Sequence, residues 1–276
     1  HSATDSSSGR CSIKVIILAA GRGTRMGSLT QDLPKGMLSL DGKTLIERQL
    51  VVLHASGLND IVIITGYQAE KITYSGVRYC HNPRYASTNM VETLMCARHE
   101  MTDDILVAYS DIIYSPALAH AVASSNHDIG VAVDADWRDY WTLRYGTTET
   151  DLESLSISQE GLITDIGKRV EASEGLAYRY IGLLKFSRRG IQQLLSIYDR
   201  KQAEDSCWSQ SGNPFVKGYM TDLLHEAIVS GIPVQPIISR GGWLEFDTEE
   251  DYAEGINLLP YCSNTVVALE AGRDNF

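Results

Sequence analysis

Long apolar runs are missing from this sequence. No stretch of about 18 or more consecutive apolar residues occurs, which argues against a transmembrane helix. Basic residues are in deficit: 24 Lys and Arg face 35 Asp and Glu, for a formal net charge of −11. That excludes a general nucleic-acid binder, which needs a basic surface to neutralise phosphates. It does not exclude a local basic pocket, because net charge does not describe a cleft. Cysteine is sparse and unpatterned. Cys11, Cys80, Cys96, Cys207 and Cys262 are odd in number, widely spaced and free of any C-x-x-C. A zinc site or a disulfide framework is not expected, and reduced thiols in a cytoplasmic setting are. The seven histidines, His81 included, show no ligand spacing. Repeats, low-complexity tracts and an interdomain linker are also lacking between residues 12 and 260.

What is present is enough apolar material for a sizeable core: 43% of 276 residues. The polar start "HSATDSSSGRC" lacks the apolar centre of a secretory signal. Residues 1–11 are expected to be a flexible tail or a foreign remnant, and residues 12–276 a single domain.

Strand-like and helical segments alternate along the chain. Ile13–Ala20, Asp60–Thr65, Val77–Cys80, Asp104–Tyr109 and Asp128–Asp134 read as buried strands. Between them lie amphipathic stretches at Lys43–Ser56, Asn89–His99 and Ala117–Ser124. Continuous apolar strands in this rhythm imply a parallel sheet covered on both faces. The second half is more mixed, with strands at Leu152–Ile157, Leu162–Ile166, Tyr178–Phe186 and Val234–Ile238. Helices are expected at Gly190–Tyr198, Thr221–Ser230 and Asp247–Ile256. The fold class is therefore α/β: three-layer α/β/α, with a mixed, mainly parallel sheet.

The stretch "VIILAAGRGTRMGSLTQDLPKG" carries the chemistry. A buried strand runs into Gly21 and Gly23, with Arg22, Arg25 and then Lys35 close behind. The first βα turn of an open parallel sheet is where a phosphate-bearing ligand sits. Glycines let backbone N–H groups approach phosphate oxygens there, and the cations supply charge. The order G-R-G-T-R-M fits neither the dinucleotide fingerprint nor the P-loop. A glycine turn with solvated arginines is the bland alternative.

"LAAGRGTRM" followed by "LPK" resembles the signature loop of the nucleotidyltransferases, which join a nucleoside triphosphate to a phosphorylated small molecule. "GYQAEKI", "SD", "TDLL" and "WLEFDTEEDY" also look like this family, over roughly residues 13–257. "YSDIIY", "DADWRDYW", "DIGKRV" and "RYIGLLKFSRRG" are similar to its phosphocholine cytidylyltransferase-like branch, which includes phosphonate cytidylyltransferases. The resemblance implies a Rossmann-like nucleotidyltransferase fold. It implies Mg²⁺-dependent transfer of CMP from CTP to a phosphorylated or phosphonylated acceptor, with release of pyrophosphate. A sugar-1-phosphate uridylyl- or thymidylyltransferase is the enzymatic alternative. A nucleotide-sensing domain without turnover is the alternative of another class.

The same resemblance assigns residues. Leu18, Ala19, Ala20, Gly21, Gly23, Thr24, Gly66, Tyr67, Asn89 and Ser110 would hold the nucleotide. Arg25 would hold the departing pyrophosphate, and Lys35 would bridge the α-phosphate and the acceptor phosphate. Lys168 would point into the cleft. Asp111, at a strand's carboxyl end, and Asp247 would hold Mg²⁺. Competing structural roles stand beside these: a turn aspartate at 111, helix capping at Asp247 and at Asn89.

For the acceptor, Trp137, Tyr140 and Trp141 could box a quaternary ammonium. Arg138 and Arg144 would instead suit an acidic acceptor, and Tyr180 and Lys185 complete the candidate set. Asp134–Arg144 breaks the strand–helix rhythm and is expected to form a lid, although packing or a dimer surface would also explain it. Neither nucleic acid nor membrane is an expected partner, and a homodimer is left open.

Overall fold

The computed structural model describes residues 12–263 and the backbone of 266–267, so the expected tail at 1–11 lies outside the described residues. The strands are β1 (Lys14–Ala19), β2 (Ser39–Leu40), β3 (Lys43–Thr44), β4 (Asp60–Thr65), β5 (Arg78–His81), β6 (Ile105–Tyr109) and β7 (Ile112–Tyr114). They continue with β8 (Ile129–Asp134), β9 (Glu153–Ile157), β10 (Ile163–Arg169), β11 (Arg179–Phe186), β12 (Gln235–Arg240), β13 (Trp243–Glu245) and β14 (Val266–Val267). The α-helices are α1 (Leu45–Ala55), α2 (Met90–Met95), α3 (Pro116–Ser124), α4 (Trp137–Tyr145), α5 (Arg188–Glu204), α6 (Met220–Val229) and α7 (Glu249–Ser263).

Eight strands form the central sheet in the order β14-β12-β8-β11-β6-β1-β4-β5. The pairs β1–β4, β1–β6, β4–β5 and β8–β12 are parallel; β11 runs antiparallel to both β6 and β8. The sheet is thus mixed and mainly parallel. Its strands read as near-continuous apolar runs because both faces are covered. Along β1, Val15, Ile17 and Ala19 enter one core with α1, α3, α4 and α7. Ile16 and Leu18 enter the other, with α2, α5 and α6. Period-two alternation thus feeds two cores on either side of one sheet.

The order places β1 at a reversal. From β1 the chain builds outward to β4 and β5, then crosses back to β6 on the other side. Such a switch point opens a crevice at the carboxyl ends of the strands, the usual place for a ligand in an open α/β sheet.

Two expectations need adjusting. Asp134–Arg144 was expected to interrupt the regular elements as a lid; instead Trp137–Tyr145 is a helix ending at Gly146, which adopts φ 71°. The helix expected over Asn89–His99 stops at Met95, followed by a separate turn at Arg98–Glu100. Among the described residues, no helix is long and apolar enough to cross a membrane.

Candidate functional site

The crevice is a cavity of about 150 Å³. Leu18, Ala20, Gly21 and Gly23 line it from β1 and the following loop, Ser110 and Asp111 from the end of β6, and Asn89 from the start of α2. Lys35 also lines it. The loop is shaped by Gly23 at φ 72°, where a Cβ would lie 2.8 Å from Lys35 Cε. Any other residue there would meet the lysine stem in a conformation L side chains avoid. The loop is also tied down. Thr30 Oγ1 donates to the Gly23 carbonyl at 2.9 Å, and Tyr67 Oη donates to the Thr30 carbonyl at 2.8 Å.

Gly66 lets the next loop close on this one. A Cβ at 66 would sit 2.6 Å from both the Ala20 carbonyl oxygen and Tyr85 Cβ. Gly66 and Tyr67 therefore brace the glycine loop rather than wall the cavity. Ala19 turns away into the core, and Thr24 is exposed outside the cavity. Asn89 serves two purposes: it lines the cavity, and its side chain accepts from Met90 N at 2.8 Å as the cap of α2. The capping box with Glu92 does not form, because Glu92 instead binds Arg84 and Tyr198.

Asp111 and Asp247, 136 positions apart in sequence, are brought together by one small ribbon. β7 pairs antiparallel with β13, placing Ile112 opposite Glu245. The pairing continues as Phe246 N donates to the Asp111 carbonyl at 2.9 Å. Asp111 just precedes β7 and Asp247 just follows β13, so both carboxylates stand at the same end of the ribbon. Lys35 lies between them, its Nζ 2.9 Å from Asp111 Oδ2 and 3.0 Å from Asp247 Oδ1. Arg25, largely exposed, reaches Asp247 Oδ1 at 3.3 Å.

Charge and burial work against each other here. Burial pulls the Lys35 ammonium down, but the adjoining Asp111 and Asp247 outweigh it and raise its pKa. Burial, with help from Asp247, raises Asp111 despite Lys35. Burial would raise Asp247 too, but Lys35 and Arg25 outweigh that and hold it below the ordinary value. Two carboxylate oxygens converging on one cationic atom form a hard-oxygen set within reach of a single cation, and that donor chemistry suits Mg²⁺. Helix capping at Asp247 is left to its neighbours: Thr248 Oγ1 accepts from Asp251 N at 3.2 Å, and Asp251 Oδ2 accepts from the Asp247 and Thr248 N–H groups.

The acceptor candidates fare differently. Trp137, Tyr140 and Trp141 are at most 1% exposed. Tyr140 packs edge-on against Trp243 at 5.3 Å, and the indole N–H groups of Trp137 and Trp141 donate to the carbonyls of Leu176 and Thr150. They offer no open ring face, so the lid is corrected to core: Tyr140 and Trp141 pack against Trp243 of β13, and Trp137 packs against Trp141. Trp141→Ala should therefore act on stability, costing about 3–5 kcal/mol. A lowered thermal midpoint with an unchanged acceptor preference would bear this out; an acceptor-selective loss at full stability would not.

Arg144 is also removed from acceptor contact. It is nearly buried, forked onto Asp251 at 2.6 Å and bonded to Glu245, with Asp247 3.7 Å away. Arg138 lies over Trp137 and donates to Ser173 Oγ at 3.0 Å and to the Leu176 carbonyl. Lys185 is at the wrong end of the sheet. β11 runs antiparallel, so Lys185 pairs with Leu106 and Gly130 near the amino ends of β6 and β8, and its Nζ bonds the Ala123 and Ser125 carbonyls. Tyr180 does lie near the acids, its hydroxyl donating to Tyr109 Oη at 2.8 Å. Lys168 is exposed on β10, apart from the main sheet.

Tyr85, Thr88, Met90 and Thr93 also line the cavity, and sequence reasoning did not single them out. The signal was the position of "RYASTNM" after the third parallel strand, where loops face the crevice. Near Asp247, the carboxylate oxygens of Asp151 and Glu245 lie within 4.8 Å of its own and of each other.

Among known families, the one described as the MobA-like NTP transferase domain matches residues 15–205. A CTP:phosphoglutamine cytidylyltransferase of Campylobacter jejuni is 28% identical over 250 residues, covering 87% of this chain and 97% of that protein. A choline-phosphate cytidylyltransferase of Streptococcus pneumoniae is 32% identical over 138 residues, 49% of this chain and 59% of that one. Among solved structures, a CTP:phosphocholine cytidylyltransferase from Streptococcus pneumoniae aligns with a TM-score of 0.69 at 24% identity, over 90% of this chain and 99% of that chain. That structural likeness shows the fold.

Proposed function

Since the chain belongs to the MobA-like NTP transferase family over residues 15–205, we propose that it moves CMP from CTP to a small phosphorylated or phosphonylated acceptor, releasing pyrophosphate. The observation that carries this is Lys35, held between Asp111 and Asp247 in the lining of the glycine-loop cavity. CTP as donor rests on the relatives, two of which are named for cytidylyl transfer.

The reaction brings an anionic acceptor against an anionic triphosphate, so positioning and charge neutralisation dominate. An acceptor oxygen forms a bond to the α-phosphorus as the bond to pyrophosphate breaks in line. Backbone N–H groups of Gly21 to Gly23 lie along the triphosphate. Lys35 neutralises charge gathering at the α-phosphorus, and Arg25 faces the departing pyrophosphate. Mg²⁺, held through Asp111 and Asp247, would supply further neutralisation on the triphosphate.

With the aromatic box gone, the acidic neighbours of Asp247 bear on the acceptor. Asp151, Glu153 and Glu245 crowd this side, against Arg144 and Arg179. Burial pushes the Glu245 carboxyl up to about 7, against the pull of Arg144. Even with Glu245 only partly ionised near neutral pH, Asp151 and Asp247 remain on this side, and they support an acceptor carrying an amine over one carrying only a carboxylate. A cytoplasmic setting, where CTP is found, goes with the reading.

The test is pyrophosphate release with each of four NTPs against phosphocholine, 2-aminoethylphosphonate, a phosphorylated amino acid and glucose 1-phosphate. CTP with an amine-bearing acceptor should give the highest kcat/KM. A clear preference for UTP or dTTP with glucose 1-phosphate would overturn the branch assignment.

A further inference from the structure

We propose that Gln49 is a positioning residue that sets the Asp111 carboxylate through the backbone on either side of it; the inference rests on the metal role read for Asp111. Gln49 lies on α1, on the buried face it shares with Leu45, Ile46, Leu50 and Leu53, and is only 1% exposed. A polar residue buried this deeply in an apolar helix face must find partners.

Its partners are not scattered. Gln49 Nε2 donates to the Tyr109 carbonyl at 2.7 Å and to the Ile112 carbonyl at 2.7 Å. Those two carbonyls bracket Ser110 and Asp111. Gln49 Oε1 accepts from Tyr114 Oη at 3.0 Å, and Tyr114 lies two residues further along β7. One amide thus grips the last residue of β6 and the first and last residues of β7. The turn between them carries the acid. The grip is completed from the other sides, as Ser110 N donates to the Leu18 carbonyl and Phe246 N to the Asp111 carbonyl.

The chemistry selects glutamine. Two carbonyl oxygens can only accept, so one atom with two N–H donors must face them, while the hydroxyl needs an acceptor. A glutamate offers no donor and would set a carboxylate against two carbonyl dipoles beside Asp111. An asparagine is one methylene short. The helix is in turn fixed to the sheet by Leu45, Leu50 and Leu53 in the core. The position of α1 is thereby transmitted to the Asp111 turn through a rigid, satisfied network.

Gln49→Met keeps length and volume and removes all three bonds. With Mn²⁺ as the probe, its affinity in the presence of CTP should fall roughly tenfold, and kcat roughly 10–100-fold, the scale of losing a group that orients a metal ligand. CTP affinity measured without metal should hardly move. Tyr114→Phe, a milder change with no loss of ring packing, should shift Mn²⁺ affinity and kcat in the same direction by less, and serves if Gln49→Met fails to fold. A lower thermal midpoint with wild-type Mn²⁺ affinity and kcat would make Gln49 structural only and overturn the inference. So would an unchanged Tyr114→Phe where Gln49→Met does not fold. If the wild-type protein neither binds Mn²⁺ with CTP nor releases pyrophosphate, the functional reading itself falls, and this inference with it. Wild-type turnover with unaltered variants overturns the inference alone.

Discussion

Asp111→Asn and Asp247→Asn should each lower kcat by roughly a hundredfold or more, the scale of losing one preorganised electrostatic stabiliser. The two carboxylates stand at one end of the β7–β13 ribbon and both contact the same Lys35 Nζ, at 2.9 and 3.0 Å. Each substitution keeps shape and removes a charge. The ribbon's own bonds, including Phe246 N to the Asp111 carbonyl, are backbone bonds and survive. Thermal midpoints should therefore stay close to wild type while turnover collapses. The excess Mg²⁺ needed for half-maximal rate should rise in both variants. Near-normal activity in both would refute the pairing of these acids, and a collapse of folding in both would recast them as structural.

Lys35→Ala should lower kcat by about 10²–10³-fold and weaken CTP binding by much less. The reason is where the charge is needed. Negative charge gathers at the α-phosphorus as the acceptor oxygen arrives, so a cation there is worth most in the transition state. Without nucleotide, Lys35 offsets two largely buried carboxylates, and both pKa values respond to it. Its removal leaves Asp111 and Asp247 facing each other, with the exposed Arg25 and the already paired Arg144 on the Asp247 side alone. Divalent cation should then raise the thermal midpoint of Lys35→Ala more than that of wild type, because binding to the folded state stabilises it. If Lys35→Ala raised only KM for CTP and left kcat intact, Lys35 would be a ground-state binder.

Why those residues were legible in sequence and others were not has physical reasons. The glycine loop is local: strand, glycines and cations follow one another within a single βα turn, so order along the chain is order in space. Asp111 and Asp247 were singled out through the family resemblance, since a strand end alone fits a turn aspartate or a helix cap as well, and their pairing across 136 positions needed the ribbon. Lys185 misled because alternation along a strand fixes a face but not a direction. β11 runs antiparallel, which sends Lys185 to the end opposite the crevice. Trp137, Tyr140 and Trp141 misled for a different reason. Their spacing of three and four is a helical stripe, the mark of a core-facing helix, but the segment's apparent break in the strand–helix rhythm suggested a lid. Gln49 gave no signal, since a buried glutamine looks like any polar residue in an amphipathic helix until its partners are seen.

The most direct measurement of the central claim is ³¹P NMR of the wild-type protein with CTP, Mg²⁺ and 2-aminoethylphosphonate or phosphocholine. The account predicts that the CTP signals give way to pyrophosphate and to the mixed anhydride of CMP with the acceptor, in equal amounts. Asp111→Asn should leave the same mixture essentially unchanged over the same time. CTP bound without any turnover, across every acceptor tried, would contradict the account and leave a nucleotide-sensing domain.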